Sequence, residues 1–429
     1  MAANDIKTAA VGEENANSSP VTIGSAQGDN VYAESRRRAH KRMPGGQTIL
    51  VLAITLVTLY LVALVIPKDI LMTILNRSQN GYTFSWFVLD LQDNLNQIAA
   101  VFTNSESGVT SYVSTMLRYL VVALTGAGLA LCGAVYQGTF RNALVTPSTL
   151  GVMSGAQLGM AVYVIVFIGG GFSTTELLQV SSSGQTPLAN VDLFGSIFAS
   201  FGFAITSFAG CLIVVGIVLL TMRLIKSDMN GIVMIITGQV IGGVIGTGIG
   251  VMRYYYTVVD PYGEVCSMLR NLQVMSFFRN YGIVDVLIIV IPLVITFLVV
   301  RSFAPRMQLL AFDETEIRTM GVDVKRMRII VIALCTLLTA LIVSFCGTVG
   351  FVGFVVPHLA RRFVGPNFKV LLPASMLLGA IFVLGAYTLL VVTIGSGHET
   401  LVGMYISIIG GFIFLITVLK GGAQRGGFR

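Results

Sequence analysis

Charge is scarce in this chain. Only 11% of its 429 residues are Asp, Glu, Lys or Arg, against about 25% in a soluble globular protein. Apolar runs take their place: 55% of residues are hydrophobic and the mean hydropathy is +0.83. So few charges cannot cover a water-facing surface, which points to a bilayer as the solvent. A phosphate loop of the form G-x-x-x-x-G-K-[ST] is missing, and so is any Gly-Lys dipeptide. The chain therefore lacks the backbone cradle and lysine that hold nucleotide phosphates. If ATP drives this protein, a separate polypeptide binds it, and no enzyme activity or cofactor is expected here. Histidine is limited to His40, His358 and His398. No His/Cys spacing suits a metal site, and no nucleophile–base set suits catalysis. The five cysteines form no disulfide framework. Cys132, Cys211, Cys335 and Cys346 lie inside apolar stretches as small core residues, and Cys266 lies in a polar connector. The net charge of +7 is spread along membrane flanks and does not form a nucleic-acid patch.

What is present is a series of apolar segments. Residues 1–46 are polar and end in the basic run Arg36, Arg37, Arg38, His40, Lys41, Arg42. Such a stretch buries too little apolar surface to fold alone and reads as a disordered tail. An uncharged run at 48–66 follows, of spanning length, too long for a signal h-region and without a small-residue cleavage site behind it. The basic flank predicts a cytoplasmic N-terminus. Further spans are expected at 112–135, 149–168, 193–222, 230–252, 281–300, 370–394 and 400–419, with an external loop at 67–111, a cytoplasmic connector at 302–328 and a C-terminal tail at 421–429.

The stretch 329–357 is uncharged over its whole length, too long for one upright helix and too short for two full spans. It contains Gly347-Thr348-Val349-Gly350 and Gly353, where the chain can turn. Charge decides between the readings. With 329–346 going out and a half-helix, 349–357, coming back, there are ten segments and both termini are cytoplasmic. Of the 27 Lys and Arg, six then lie outside (Lys68, Arg77, Arg118, Arg253, Arg270, Arg279) and 21 inside. A single crossing would also put Arg361, Arg362, Lys369, Lys420, Arg425 and Arg429 outside, against the positive-inside rule. The expected fold is thus all-α and polytopic, with about ten transmembrane helices over 47–420. No Asp, Glu, Lys or Arg sits at the middle of a predicted span; Asp285 and Arg118 lie near outer ends. This disfavours an ion-coupled secondary carrier, which usually needs an intramembrane charge or unwound site.

Two features carry mechanism. Gly238, Gly242, Gly246 and Gly250 repeat at i, i+4 and lay a bare ridge along one helix. Such a ridge serves close helix packing or a smooth pore wall, and both readings stand. Gly151, Gly155 and Gly159 form a second ridge, read as packing. In the connector, Asp313 and Glu314 place acids at the start of a short helix, and Gly321 suits its end. Ile317 and Met320, at i and i+3, share one face; such a helix suits a groove on a cytoplasmic partner or a position on lipid headgroups, against which the acids of its first turn argue mildly. Tyr254-Tyr255-Tyr256 reads as an interfacial belt. His358, after Pro357, reads as a structural residue bonding carbonyls that the proline frees.

Three stretches, spread in order over about 112–420, resemble the FecCD permease family, the type II ABC importer permeases for iron–siderophore, heme and cobalamin. The first is Gly126-Ala127-Gly128-Leu129-Ala130-Leu131-Cys132-Gly133-Ala134-Val135-Tyr136-Gln137-Gly138, continued by Arg141-Asn142, Pro147 and Leu150-Gly151-Val152. The second is Gly347-Thr348-Val349-Gly350-Phe351-Val352-Gly353-Phe354-Val355-Val356-Pro357-His358-Leu359-Ala360-Arg361. The third is the connector from Asp313 to Arg326, similar to the family's coupling loop. The resemblance implies a type II ABC importer permease fold in the cytoplasmic membrane. It also implies a second permease subunit, two cytoplasmic ATPase subunits and an extracytoplasmic binding protein. By the same resemblance, Asp313, Glu314, Ile317, Arg318, Met320 and Gly321 couple to the ATPase, and Arg118 and Glu399 meet the binding protein. The expected cargo is an iron–siderophore complex, with heme or cobalamin as alternatives. The chain departs from the family at Ala143, where a proline is usual, and at Tyr387 and Val391, where an Asp and an Arg are common.

Overall fold

The computed structural model describes residues 45–65, 106–168, 193–224, 231–263, 265–266, 269, 282–310, 317, 323–393 and 402–425. Within them the chain forms ten α-helices. These are α1 (Gly45–Val65), α2 (Glu106–Thr139), α3 (Val152–Tyr163, continued by a π turn Val164–Ile168), α4 (Leu193–Leu224) and α5 (Gly231–Val259). They continue as α6 (Ile283–Leu309), α7 (Val324–Cys346), α8 (Val352–Val364), α9 (Phe368–Thr393) and α10 (Val402–Arg425). Seven of them, α1, α2, α4, α5, α6, α7 and α9, are long and apolar enough to cross a membrane. The apolar parts of α3 and α10 are shorter, and α8 has only 13 residues. The ten-segment count reached from charge matches these ten helices.

Helix α2 is the axis of the bundle. Of its spanning window 89% is buried, against 11% for α1 and 22% for α5. Glycine is what lets its neighbours reach it. A Cβ on Gly126 would lie 2.1 Å from the Gly379 carbonyl oxygen of α9, so these two helices touch backbone to backbone. The expected packing ridge of α3 behaves likewise against α4: a Cβ on Gly159 would lie 1.9 Å from the Thr206 oxygen. Small residues give this close approach in a medium where apolar burial alone supplies no drive between helices.

Helix α7 runs antiparallel to α2. Tyr136 OH and Thr336 Oγ1 are 2.8 Å apart, and Thr125 Oγ1 donates to Cys346 Sγ at 3.1 Å. The end of α7 is therefore level with Thr125, near the middle of the Val113–Thr139 span of α2. There Gly347, at φ 71, terminates the helix, and Phe351, at φ 63, starts α8. The irregular segment 347–351 is seated on α10: a Cβ on Gly410 would lie 2.7 Å from Phe351 Cβ, and one on Gly403 3.1 Å from the Thr348 oxygen. Protein surrounds most of this non-helical backbone, as a bilayer interior requires.

Several boundaries differ from expectation. The half-helix occupies 352–364, not 349–357, because the glycine-rich segment is not helical and Phe351, in the left-handed region, delays its start. The connector 302–328 narrows to 310–323, since α6 continues through Pro305 to Leu309 and Asp323 caps α7 early by accepting from the Arg326 N–H at 3.1 Å. Helix α2 begins at Glu106, inside the expected 67–111 loop, and α10 runs to Arg425, inside the expected 421–429 tail. Tyr254, Tyr255 and Tyr256 lie on α5 itself, not after it. Asp285 stands in the first turn of α6. It is buried and caps α6, its Oδ2 accepting from the Gly282 N–H at 3.0 Å. The tail up to residue 44 and most of the 67–111 loop lie outside the described residues.

Candidate functional site

The first two motifs, more than two hundred residues apart in sequence, meet in space. Pro357 lies inside α8 and has no N–H to give the carbonyl four residues back, that of Gly353. Gln137 of α2 supplies the missing donor. Its Nε2 donates to the Gly353 oxygen at 3.3 Å and to the Phe354 oxygen at 3.2 Å. On its other side, Gln137 Oε1 accepts from Arg361 Nη1, one turn beyond the proline. The approach depends on Gly133, where a Cβ would lie 1.8 Å from the Gly353 oxygen. The same device recurs in α9: Pro373 leaves the Lys369 carbonyl without its helical donor, and Arg301 of α6 donates to it at 3.2 Å. An unmet carbonyl in such surroundings costs about 1–3 kcal/mol. This corrects the reading of His358, which is exposed; the carbonyl freed by the proline belongs to Gln137. Sequence reasoning missed that residue, although Pro357 together with the carbonyl at i−4 was a signal that some donor had to arrive.

The ridge Gly238, Gly242, Gly246 and Gly250 divides in two along α5. A Cβ on Gly238 would lie 2.3 Å from the Thr149 oxygen, and one on Gly242 3.0 Å from Ser154 Oγ. This half packs against the start of α3. Around Gly246 and Gly250, as around Gly243 and Gly248, nothing lies within 4 Å of an added Cβ. Tyr254 and Tyr255 continue that open end and are 72% and 58% exposed. In this part of α5 the open glycine positions alternate with exposed side chains such as Val244 and Val251, 69% and 63% exposed.

Ile317 is the described member of the connector cluster, and it is fully buried in the chain's own apolar core. This corrects the expectation that it faces a partner, because a side chain packed in this bundle cannot also fill a partner's groove. Asp313, Glu314, Arg318, Met320 and Gly321 lie outside the described residues. Of the two docking candidates, Arg118 is partly buried on α2, and Glu399 lies outside the described residues. Tyr387 and Val391, at the positions that depart from the family, are 2% and 3% exposed, and the Tyr387 ring meets Tyr119 edge-on at 5.4 Å. These two are core residues. All five cysteines are buried, Cys266 included despite its polar connector. Among the described residues no group of three His, Cys, Asp or Glu is placed to hold a metal ion.

Comparison with known proteins bears on the family and the fold. The profile of the FecCD transport family matches residues 49–420. The molybdate import system permease protein MolB of Haemophilus influenzae is 30% identical over 315 residues, covering 72% of this chain and 80% of that protein. The Fe(3+)-citrate import system permease protein YfmE of Bacillus subtilis is 28% identical over 272 residues, covering 63% of this chain and 71% of that protein. In structure, the chain shares its fold with a metal-chelate type ABC transporter in an inward-facing conformation, at a TM-score of 0.63 and 23% identity. That match covers 88% of this chain and 99% of the other.

Proposed function

The chain belongs to the FecCD transport family, a multi-pass membrane permease of the ABC importer type, and from that premise we propose that it carries an iron–siderophore complex across the cytoplasmic membrane. ATP hydrolysis takes place in two separate cytoplasmic subunits, in keeping with the absence of a phosphate loop here. An extracytoplasmic binding protein delivers the cargo, with Arg118 and Glu399 on the receiving face. Both termini are cytoplasmic, as the excess of Lys and Arg on that side requires. A second permease subunit, a copy or a relative, completes the pathway.

The observation that carries this reading is the open half of the α5 glycine ridge. A bulky chelate needs a wall that neither grips nor snags it, with affinity left to the binding protein. Gly243, Gly246 and Gly250, with open space around them, contribute to such a wall, and the two permease subunits would enclose it between them. The relatives named for Fe(3+)-citrate and molybdate mark the range of cargo to be separated by experiment. Vesicles holding the permease, its ATPase subunits and its binding protein should accumulate a ferric siderophore only when ATP is supplied. Uptake of heme, cobalamin or molybdate in its place would overturn the cargo. Uptake that survives without ATP but collapses with an ionophore would favour an ion-coupled carrier.

The connector Asp313–Gly321 is proposed to receive the ATPase stroke. Replacing Arg318 and Met320 together by alanine should lower uptake roughly tenfold or more while ATP hydrolysis continues, the scale of a coupling free energy of about 1–3 kcal/mol. Unchanged uptake in that variant would remove the connector from the coupling path.

A further inference from the structure

We propose that Gln137 is a positioning residue of the transport cycle: it makes the proline-weakened helix α8 move as one rigid piece. The proposal rests on reading the chain as an ATP-driven permease and adds to it a named part. Three observations carry it. Helix α8 has a built-in weak point, because Pro357 removes the bond to the Gly353 carbonyl in the middle of a 13-residue helix; internal prolines are where helices bend. Gln137 spans that point from both sides, donating to Gly353 and Phe354 before the proline and accepting from Arg361 after it. And the helix joins two places that differ in kind. At one end Arg362 and Phe363 are exposed, next to the turn that Gly365 makes at φ 85. At the other end is the non-helical segment 347–351, near the middle of the α2 span. There Phe351 is 41% exposed at φ 63, a backbone conformation that a bulky residue keeps only when its surroundings impose it.

A bent α8 would absorb a displacement of its Arg362 end at Pro357. A straight α8, braced by Gln137, passes that displacement to Phe351 and the segment resting on α10. The amide suits this task because it has both a donor and an acceptor. Leucine offers neither, methionine has no donor and only a weak thioether acceptor, and glutamate at neutral pH keeps the acceptor for Arg361 but loses the donor.

The test uses the complete transporter, with ATPase subunits and binding protein, in proteoliposomes. Cargo is tried from ferric citrate, a ferric hydroxamate, hemin, cyanocobalamin and molybdate, and uptake and ATP hydrolysis are read in the same vesicles. Gln137→Met and Gln137→Glu should each lower cargo moved per ATP hydrolysed roughly tenfold, with hydrolysis maintained. Pro357→Ala returns an N–H to the Gly353 carbonyl, so Gln137→Met/Pro357→Ala should recover most of the lost ratio, and Pro357→Ala alone should resemble the wild type. A purely structural role would lower the yield of assembled complex and leave the ratio of the surviving complexes untouched. An unchanged ratio in both Gln137 variants overturns the proposal, as does a lowered ratio that Pro357→Ala fails to restore, or failure of both variants to assemble. A wild-type complex that moves none of the five cargoes with ATP counts against the permease reading itself, which separates that failure from this one.

Discussion

Gly133→Ala should yield almost no assembled protein, while Gly246→Ala should fold as the wild type does. The two glycines lie in apolar helices and look alike in sequence. In space they are opposites. An added methyl at Gly133 would sit 1.8 Å from a backbone oxygen of α8, whereas at Gly246 nothing lies within 4 Å. Backbone cannot step aside as a flexible side chain does. Helix α8 would have to withdraw from α2, and that withdrawal would also break the Gln137 bonds to Gly353 and Phe354 and the bond from Arg361. Overpacking alone costs about 1–3 kcal/mol; leaving a buried carbonyl unmet adds about 1–3 kcal/mol. Together, at about 2–6 kcal/mol, these reach the lower end of the whole stability of many domains, about 5–15 kcal/mol. At Gly246 the change removes only the helix penalty of glycine, about 1 kcal/mol, and should be neutral or mildly stabilising. The check is the monodisperse fraction and melting temperature of detergent-purified protein. Equal melting temperatures for the two variants would show that α2 and α8 are not in the backbone contact described here.

Where the chain crosses the membrane was legible because a bilayer enforces uncharged runs, and the positive-inside rule then chose between nine and ten segments at 329–357. The glycines at 347 and 350 rightly marked a break there. What remained hidden was depth. Nothing local in residues 324–346 says that Cys346 stops level with Thr125, since that depends on pairs such as Tyr136 with Thr336 and Thr125 with Cys346 across the bundle. The same holds for Ile317. Its spacing with Met320 defines a helix face, but not whether that face turns to a partner or to the chain's own core, where Ile317 is buried. Gln137 was read only as part of a motif, although Pro357 had announced an orphaned carbonyl, because the donor comes from a helix far away in sequence. The glycine ridge of α5 shows the limit from the other side: one repeat of four glycines, and two environments.

Gly246→Leu and Gly250→Leu should stop cargo uptake while leaving the fold intact, and this pair tests the pore wall most directly. Each leucine adds a branched side chain to open space, so the single chain has no reason to lose stability. If the open half of α5 faces cargo, two such chains place bulky groups opposite each other in a path that must pass a chelate, and uptake should fall roughly a hundredfold or more while ATP hydrolysis persists, a barrier increase of about 2.7 kcal/mol. If that half instead faces the second permease subunit, the added bulk should separate the subunits, and the complex should be lost before any transport is measured. The paired variants Gly238→Leu and Gly242→Leu supply the contrast, because a side chain there meets Thr149, Leu150 or Ser154 and should cost stability in the isolated permease. Uptake at the wild-type rate in Gly246→Leu and Gly250→Leu would show that cargo passes elsewhere, since the open space at these glycines is the physical reason for placing it along α5.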